Sequence, residues 1–523
     1  MKHFKITFKP DNKQVSIHEG ATILEAAGQA DIIIDAVCGG KGTCEKCVVN
    51  LEPEGHQVLA CQYRIQSNLT VTIPAASRFF EQKILSHGID TQVKTHPTIF
   101  KKYLKKDSAD KIFGVAVDIG TTTVVAKLID MTNGDCIATQ ATINPQTRYG
   151  DDVISRISYA QSEPGLAELH KVIIDCINEL VTQLCEKTSI DEKRIHEMCV
   201  VGNTTMNHIF LKFPVAQLGQ APYSAFSLDA HDVPAGKLGL HINPAGNVHT
   251  VENIAGFVGS DTTAVALAVD VSSFEQTSLV VDIGTNGEIV LSTKGKLYAA
   301  SCAAGPALEG ARISCGSRAA DGAIEAVVVN GDDIDIDVIG GCGPISICGS
   351  GLIDAVAVLL NLGIIDSSGR FVDPEKIKGK LPAAIFSRII VQDEQPAFRL
   401  ADKVVLTQKD IRQMQLAKAA IQAGIRLLLK KSGLEDTDIM QIFLAGAFGN
   451  YIRAASALRI RLLPAVPLER IHFVGNAAVS GAQMMLLSHH WRAQAHELAR
   501  RIEYVEIAHE ADFQEVFADS ITF

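Results

Sequence analysis

The feature that most constrains the fold of this chain is a repeated Asp-Ile-Gly-Thr turn. The turn occurs in GVAVDIGTTTVVAKLID and again in SLVVDIGTNGEIVLST, so that Asp118 and Asp282 stand 164 residues apart. Each copy has an apolar run on both sides, a pattern that predicts a buried strand, a tight turn and a second strand. A repeat this large predicts two similar α/β halves that face each other across a cleft.

The residues of these turns suit phosphate chemistry. Backbone N–H groups and threonine hydroxyls after a buried strand can donate to a phosphate, and the aspartate can orient a Mg²⁺-bound water. Further strand-to-glycine turns occur in CVVGNTT, IFLAGAFGN and IHFVGNAAVSGA. The chain has no GxxxxGK[ST] motif, and no GxGxxG follows a strand, which leaves no competing P-loop or Rossmann site. The alternative is that these glycines only form turns at strand ends.

A second constraint is a cluster of four cysteines within 24 residues, spaced Cys38-x5-Cys44-x2-Cys47-x13-Cys61. Four thiolates in a related x4, x2 spacing hold plant-type 2Fe–2S clusters, and the glycines at 39, 40 and 42 allow the backbone to wrap tightly. Zinc also accepts four thiolates, but its sites usually contain paired CxxC knuckles and only one pair has that spacing here. Buried structural thiols are the third interpretation. The spacing favours 2Fe–2S, and the other eight cysteines are expected to be buried.

The chain divides into four predicted parts. Residues 1–76 read as a hairpin, a helix, a cysteine-rich loop and two short strands, and 77–112 read as a linker without sustained periodicity. The two Asp-Ile-Gly-Thr turns define a first half over 113–275 and a second half over 276–523. The predicted fold class is therefore multi-domain α/β.

Composition excludes several classes of function. The 523 residues carry a net charge of −11, which argues against nucleic acid as the main partner because phosphate binding needs basic surface. No stretch approaches 18 uninterrupted apolar residues, so we expect no membrane span. The N-terminus lacks the apolar core of a signal peptide, and we expect a cytoplasmic protein.

The N-terminal unit with its four cysteines and the paired Asp-Ile-Gly-Thr turns each resemble a known family. The first 76 residues resemble a β-grasp 2Fe–2S ferredoxin domain, with the x5 spacing of the vertebrate and bacterial redox ferredoxins. The paired turns resemble the actin, sugar-kinase and chaperone ATPase superfamily (ASKHA). In that superfamily the residues of the two turns bind the ATP phosphates and metal, here Asp118, Gly120, Thr121, Thr122, Thr123, Asp282, Gly284, Thr285 and Asn286. The later glycine turn, Gly446, Ala447, Phe448 and Gly449, resembles the adenosine motif. VVGNTT, with Asn203 and Thr204, and FVGNAAVSGA, with Gly475 and Asn476, match the connecting elements of the two halves, and these residues are further candidates for nucleotide contact. For Asn203 and Thr204 a plain polar turn is the alternative.

The combination of the two units resembles the reductive activators of corrinoid proteins, the RACo-type ATPases. The strings NPQTRYGDDVISRI, AAGPALEGARISCGS, CGSGLIDAV and TQKDIRQMQLAKAAI resemble that family as well. Membership implies a 2Fe–2S cluster, ATP and Mg²⁺ as cofactors. It also implies ATP-dependent one-electron reduction of Co(II) to Co(I) on the corrinoid protein of a methyltransferase system, with a separate electron-donor protein. A homodimer rests on the resemblance alone.

The candidate catalytic residues are Asp118, Asp282, Asp151 and Glu309. Asp118 and Asp282 would act on the metal, whereas Asp151 and Glu309 are candidates for orienting the attacking water. Asp151 can equally be an acid at a helix N-terminus.

Three other functions remain open from the residues. The chain could activate a different low-potential metalloenzyme, although such activators hold one 4Fe–4S cluster between two subunits, unlike the N-terminal four-cysteine site here. It could be a small-molecule kinase with a redox-sensing ferredoxin unit, which predicts phosphoryl transfer that needs no electron donor. A redox sensor without enzymatic activity predicts no ATP turnover.

Overall fold

The computed structural model describes most of the chain. The described residues are 2–10, 12–30, 32, 34, 47–53, 55–74, 111–150, 152–310, 312–446 and 452–523. Of the predicted linker, only Lys111 and Ile112 are among them.

The N-terminal unit is a five-stranded mixed sheet with a helix packed on it. Its strands are β1 (His3–Lys9), β2 (Lys13–His18), β3 (Val48–Glu52), β4 (His56–Leu59) and β5 (Leu69–Thr72), in the order β2-β1-β5-β3-β4. Only β1 and β5 pair in parallel, at the centre of the sheet. Helix α1 (Ile23–Gln29) begins with a capping box, in which the Thr22 and Glu25 side chains each accept from the other's backbone N–H. This is the β-grasp arrangement predicted from the sequence.

The first Asp-Ile-Gly-Thr turn lies in a six-stranded sheet. The strands are β6 (Phe113–Ile119), β7 (Thr123–Asp130), β8 (Cys136–Ile143), β9 (Ile195–Gly202), β10 (His231–Pro234) and β11 (Asn247–Thr250), in the order β10-β11-β9-β6-β7-β8. Strands β6 to β8 form an antiparallel meander, and β9 pairs in parallel with β6. The buried run Val115–Val117 makes β6 the apolar centre of this sheet.

The second turn lies in a sheet of the same design. Its strands are β12 (Ser278–Ile283), β13 (Gly287–Thr293), β14 (Lys296–Cys302), β21 (Gln441–Ala445), β22 (Ile471–Gly475) and β23 (Ile502–Tyr504), in the order β22-β21-β12-β13-β14-β23. Again three strands form a meander and β21 pairs in parallel with the first of them. The duplication predicted from Asp118 and Asp282 is therefore present in the strand order.

Two small antiparallel-rich sheets are inserted between β14 and β21. One contains β15 (Ala323–Asn330), β16 (Asp333–Val338) and β17 (Ser346–Ile347), and the other contains β18 (Ile389–Gln392), β19 (Gln395–Ala401) and β20 (Val404–Thr407). The helices beyond the N-terminal unit are α2 (Val153–Tyr159), α3 (Glu163–Thr188), α4 (Thr204–Leu211), α5 (Ala235–Leu238), α6 (Ser260–Ala268), α7 (Gly349–Asn361), α8 (Pro374–Ile377), α9 (Ala383–Ser387), α10 (Gln408–Lys431), α11 (Ala454–Arg459), α12 (Ala477–Leu487), α13 (His489–Arg501) and α14 (Phe513–Asp519). Among the described residues, no helix combines the length and the apolar character needed to cross a membrane.

One buried cluster joins the two halves. It contains Ala116 and Val201 from the first sheet and Val280 and Val474 from the second, with α6 and α12 between them. The two helices approach closely at Gly481, because a Cβ added there would lie 2.2 Å from the carbonyl oxygen of Ala264. Glycine at this position therefore permits the packing between the halves.

Whether replacing Gly481 with alanine stabilises or destabilises the protein tests this close packing. In an exposed helix Gly→Ala stabilises by about 1 kcal/mol. At position 481 we expect Gly481→Ala to lower the free energy of unfolding by about 1–2 kcal/mol instead, because overpacking costs more than helix propensity returns. Denaturant unfolding would measure this. As a control, Gly343→Ala, where no atom lies within 4 Å of the added Cβ, should change stability by less than about 0.5 kcal/mol. A stabilised Gly481→Ala variant would contradict the packing.

Candidate active site

The two Asp-Ile-Gly-Thr turns meet at the carboxyl ends of β6 and β12. Each turn is closed by a backbone hydrogen bond from its glycine, Gly120 N–H to Thr123 O at 2.9 Å and Gly284 N–H to Asn286 O at 2.9 Å. The hydroxyl oxygens of Thr122 and Thr285 lie 3.0 Å apart. The turns of the two halves are therefore in direct contact across the cleft.

A cavity of about 390 Å³ lies at this junction. Both turns contribute to its wall, as the duplicated sequence predicts for a cleft between halves. The predicted site residues that line it are Asp118, Gly120, Thr121, Thr122, Thr123, Asn203, Asp282, Gly284, Thr285, Asn286, Glu309, Gly446 and Asn476.

Three buried side chains hold the first turn in place. Asn144 donates from Nδ2 to the carbonyl oxygen of Gly120 at 2.9 Å, and Arg156 donates from Nη2 to that of Thr121 at 2.5 Å. Asn203, the N-cap of α4, donates from Nδ2 to Oγ1 of Thr121 at 3.0 Å. These three contacts fix the backbone of the turn, and its threonines line the cavity.

Sequence reasoning gave no role to Asn144 or Arg156. Both belong to NPQTRYGDDVISRI, and the Arg156 side chain is fully buried. The sequence did contain a signal for Arg156, since it stands among apolar residues in the helical pattern VISRI. An arginine on the buried side of a helix is almost always paired, which would have predicted a partner in the site.

Two further carboxylates extend the predicted pair of aspartates. Asp261 lies in the first turn of α6 and Glu288 lies opposite Asp282 on β13, and both line the cavity. Burial raises the pKa of Asp261 to about 6. Burial, followed by the Asp261 charge, raises that of Asp282 to about 7. For Asp118 and Glu288, burial and then the neighbouring aspartates raise the pKa well above its usual range.

The four carboxyl groups lie close together at the end of the cleft where the turns meet, so ionising all of them needs a compensating cation. Within the described part of the chain, no three His, Cys, Asp or Glu side chains are grouped so as to hold a metal ion by themselves. The donor set still suits Mg²⁺, which usually keeps several waters and takes only one or two carboxylates together with substrate phosphates. Asp261 was not predicted as a site residue, although its sequence FVGSDTT is another glycine turn that leads into a helix.

Glu309 contacts both turns at once. Its Oε1 accepts from Thr285 Oγ1 at 2.7 Å and its Oε2 accepts from Thr122 Oγ1 at 3.1 Å. The residue ends a short 3-10 turn, Pro306–Glu309, between Gly305 and Gly310, which both have positive φ. The other candidate for orienting water, Asp151, lies outside the described residues.

The later glycine turn is described only at its start. Gly446 has φ +92°, and a Cβ there would lie 2.6 Å from Oδ1 of Asp282, so a side chain would fill the space beside the carboxylate. Gly475 lies behind it and accepts from Gly446 N–H at 3.0 Å. The predicted nucleotide contacts Ala447, Phe448 and Gly449 lie outside the described residues.

The structure places Thr204 away from the cavity. Its side chain is fully buried in the first turn of α4, and its hydroxyl donates to the carbonyl oxygen of Ala255 at 2.6 Å. This donor therefore serves the packing of α4 against the loop between β11 and α6, and Thr204 is not among the residues that line the cavity.

Two of the four clustered cysteines are among the described residues. Cys47 and Cys61 are 0% and 6% exposed, and their Sγ atoms lie 3.3 Å apart. A backbone hydrogen bond from Ala60 N–H to Cys47 O at 2.9 Å fixes the two chain segments side by side. Two sulfurs this close together can serve as ligands of one Fe–S cluster. Cys38 and Cys44 lie outside the described residues.

The remaining eight cysteines only partly follow expectation. Five are buried, namely Cys176, Cys185, Cys199, Cys302 and Cys348. Cys136 and Cys342 are instead exposed and Cys315 is half-buried. The expectation of uniform burial is wrong for these three, which lie in a strand or loops at the surface.

Three family models together match all parts of the chain except the linker. A model of a 2Fe–2S iron–sulfur cluster binding domain matches residues 4–75, one of the RACo middle region matches 113–273, and one of the RACo C-terminal ASKHA domain matches 276–523. The chain is 32% identical to the corrinoid activation enzyme RamQ of Eubacterium limosum, over 99% of both chains. It is 26% identical to a [Co(II) methylated amine-specific corrinoid protein] reductase of Methanosarcina barkeri, over 75% of this chain and 73% of that one.

A solved structure is similar over the same span. It is that of a reductive activator for a corrinoid, iron–sulfur protein, with a TM-score of 0.73 and 31% identity, covering 99% of this chain and 98% of that chain.

The buried carboxylates make stability depend on pH when divalent cations are removed. Because the pKa of Asp282 is raised to about 7, the folded protein keeps a proton that the unfolded chain releases above about pH 4. Stability therefore falls as pH rises from about 4 through about 7. In Asp282→Asn this contribution to the fall is absent. We therefore expect the stability gap, the free energy of unfolding of the variant minus that of wild type, to become more positive by at least about 1 kcal/mol between pH 5 and pH 7.5.

Denaturant unfolding in a chelator, repeated across this pH range, measures the gap. Asp402→Asn, which removes an exposed carboxylate in the β19–β20 turn, is the matched control and should give a small gap that does not change with pH. A gap for Asp282→Asn that is equally independent of pH would show that Asp282 is ionised in the folded protein at all these pH values.

Proposed function

The chain belongs to the RACo family of reductive activators, and from this premise we propose that it uses ATP to reduce the Co(II) corrinoid of a partner protein to Co(I). The observation that carries the proposal is the presence of two sites in one chain. One is the pair of buried sulfurs of Cys47 and Cys61, and the other is the cavity between the two Asp-Ile-Gly-Thr turns.

The cysteine cluster is the electron-carrying site. Cys47 and Cys61 would hold a 2Fe–2S cluster together with Cys38 and Cys44. Such a cluster supplies a carrier for one electron at low potential. Both described sulfurs are buried in the β-grasp unit, which removes them from bulk water and supports this assignment.

The cavity is the ATP site. The N–H groups and hydroxyls of Thr121–Thr123 and of Thr285 would bind the phosphates, and Gly446 leaves room beside Asp282. Asp118 and Asp282 would orient Mg²⁺ through its waters, with Asp261 and Glu288 adding negative charge. The raised pKa values support a bound cation, because it would stabilise four neighbouring carboxylates in their ionised form.

The energetic reason for joining the two sites follows from redox arithmetic. For one electron, about 59 mV corresponds to about 1.4 kcal/mol, so an uphill gap of about 0.3 V needs roughly 7 kcal/mol. An electron carrier alone does not provide this free energy. Closure of the two halves around ATP can provide it if the closed form binds the partner in a conformation whose cobalt accepts the electron more easily.

Hydrolysis would then reset the cleft. Glu309 is the proposed water-orienting residue among the described candidates, because its carboxylate already lies between Thr122 and Thr285 where the turns meet. Asp151 is kept as the alternative.

The partners are proposals of the same kind. The curated relatives are named for corrinoid proteins, which supports a corrinoid protein of a methyltransferase system as the acceptor. The family resemblance supports a separate electron-donor protein and a homodimer. The exposed thiols of Cys136 and Cys342 suit a reducing compartment and support the cytoplasm as the location.

The test combines the reduced protein, Mg-ATP and a Co(II) corrinoid protein without oxygen. We expect Co(I) absorbance to appear only when ATP is present. Reduction at the same rate without ATP would refute the coupling. Stoichiometric phosphorylation of a small acceptor without an electron donor would instead identify a kinase, and no turnover of ATP would identify a redox sensor.

Removing one cysteine should separate the two activities. In Cys61→Ser we expect the iron content, the visible 2Fe–2S absorbance and the rate of Co(I) formation to fall more than about tenfold. ATP hydrolysis should persist, because the cavity lies in a different unit. Iron analysis, absorbance and phosphate release measure the three quantities. Cys136→Ser, an exposed cysteine outside the cluster, is the matched control and should keep all three.

A further inference from the structure

Glu309 holds the two halves together through one carboxylate. Thr122 belongs to the first half, whereas Thr285 and Glu309 belong to the second. The two threonine hydroxyls reach different oxygens of the carboxylate, at 3.1 Å and 2.7 Å, and they also contact each other at 3.0 Å. We call these three side chains the clasp.

The clasp uses the same donors that the proposed function assigns to the phosphates of ATP. A threonine hydroxyl has a single hydrogen to donate. While that hydrogen is bonded to Glu309, it is not available to a phosphate oxygen. A carboxylate at this point also repels a phosphate, because both carry negative charge.

The backbone on either side of Glu309 is closely packed, so its side chain is the part that moves most easily. Leu308 is fully buried, and Gly310 lies so close to Ser317 that an added Cβ would be 2.1 Å from its carbonyl oxygen. The glutamate side chain, by contrast, has rotatable bonds and lines an open cavity. A competing anion can therefore displace the carboxylate by rotation, without unfolding the turn that carries it.

We propose that Glu309 is an internal surrogate for a nucleotide phosphate, whose carboxylate clasps Thr122 and Thr285 across the cleft and must be displaced by the phosphates of ATP. The proposal rests on the proposed function in taking this cavity as the ATP site. It assigns to Glu309 a function that precedes any part in hydrolysis. The clasp sets the affinity for nucleotide and restrains the two halves until nucleotide replaces it.

Substitution of Glu309 should strengthen nucleotide binding, which is the opposite of what loss of a supporting residue would do. Glu309→Gln has nearly the same shape without the charge. We expect it to bind a non-hydrolysable ATP analogue with Mg²⁺ about tenfold more tightly than wild type, or about 1.4 kcal/mol. Glu309→Asp keeps the charge but is one methylene too short to reach both threonines, so its affinity should lie between the two. Isothermal titration calorimetry on the full-length protein measures all three.

A surface variant controls for the change in net charge. Glu497 is exposed on α13, and Glu497→Gln should bind the analogue as wild type does. Circular dichroism and thermal unfolding establish that each variant is folded. If Glu309→Gln does not fold, Glu309→Asp decides the matter. Equal or weaker binding by the folded glutamate variants would overturn the proposal.

A second measurement needs no nucleotide. If the clasp joins the halves, hydrogen exchange at the β6–β7 and β12–β13 turns should be faster in Glu309→Gln than in wild type, and in Glu497→Gln it should be unchanged. Unchanged exchange in Glu309→Gln would overturn the clasp. Should wild type fail to bind the analogue at all, the ATP assignment fails, whereas the exchange result still shows whether Glu309 joins the halves.

Discussion

The structure depends on the burial of four carboxylates where its two halves meet. Asp118 and Asp282 are the penultimate residues of equivalent central strands, so the duplication itself brings two acidic groups to one cleft. Asp261 and Glu288 add to them, and burial raises the pKa of all four. Like charges out of water are costly unless a cation or protons compensate. The proposed binding of a cation with phosphates and the predicted loss of stability at higher pH without a cation would therefore both follow from the same arrangement.

The two phosphate-type turns are supported differently, although their sequences are similar. The first is held from behind by Asn144, Arg156 and Asn203, all of them buried. In the second, the hydroxyl of Thr285 donates to Glu309 and lies 3.0 Å from that of Thr122 on the cavity side. A site with one preorganised wall and one wall engaged in exchangeable contacts can position phosphates and still respond to their arrival.

The sequence predicted the parts of this site that repeat and missed the parts that do not. Asp118 and Asp282 were found because their turns recur with the same neighbours, and a strand order that repeats follows from such a pattern. Asp261 and Arg156 belong to the site through contacts with residues far away in the chain. The spacing of apolar residues along the sequence does not reveal such contacts. Thr204 lies next to a glycine turn and was predicted to contact a phosphate, but its hydroxyl donates to the carbonyl oxygen of Ala255 and it does not line the cavity. Only the packing of α4 decides which way it points.

The contact between the redox unit and the ATPase halves is suited to movement. His3 Nε2 on β1 lies 2.5 Å from Asp337 Oδ1 on β16, and a cavity of about 1080 Å³ beside this contact is lined by Leu24 and Ile34 on one side and Phe443 and Val474 on the other. Domain cores pack without voids of this size, whereas loosely packed interfaces permit relative motion of domains. An electron carrier has to bring its sulfur ligands near an acceptor on another protein. If the β-grasp unit moves towards an acceptor as the proposed function requires, the cavity between the described parts of the two units leaves room for that motion.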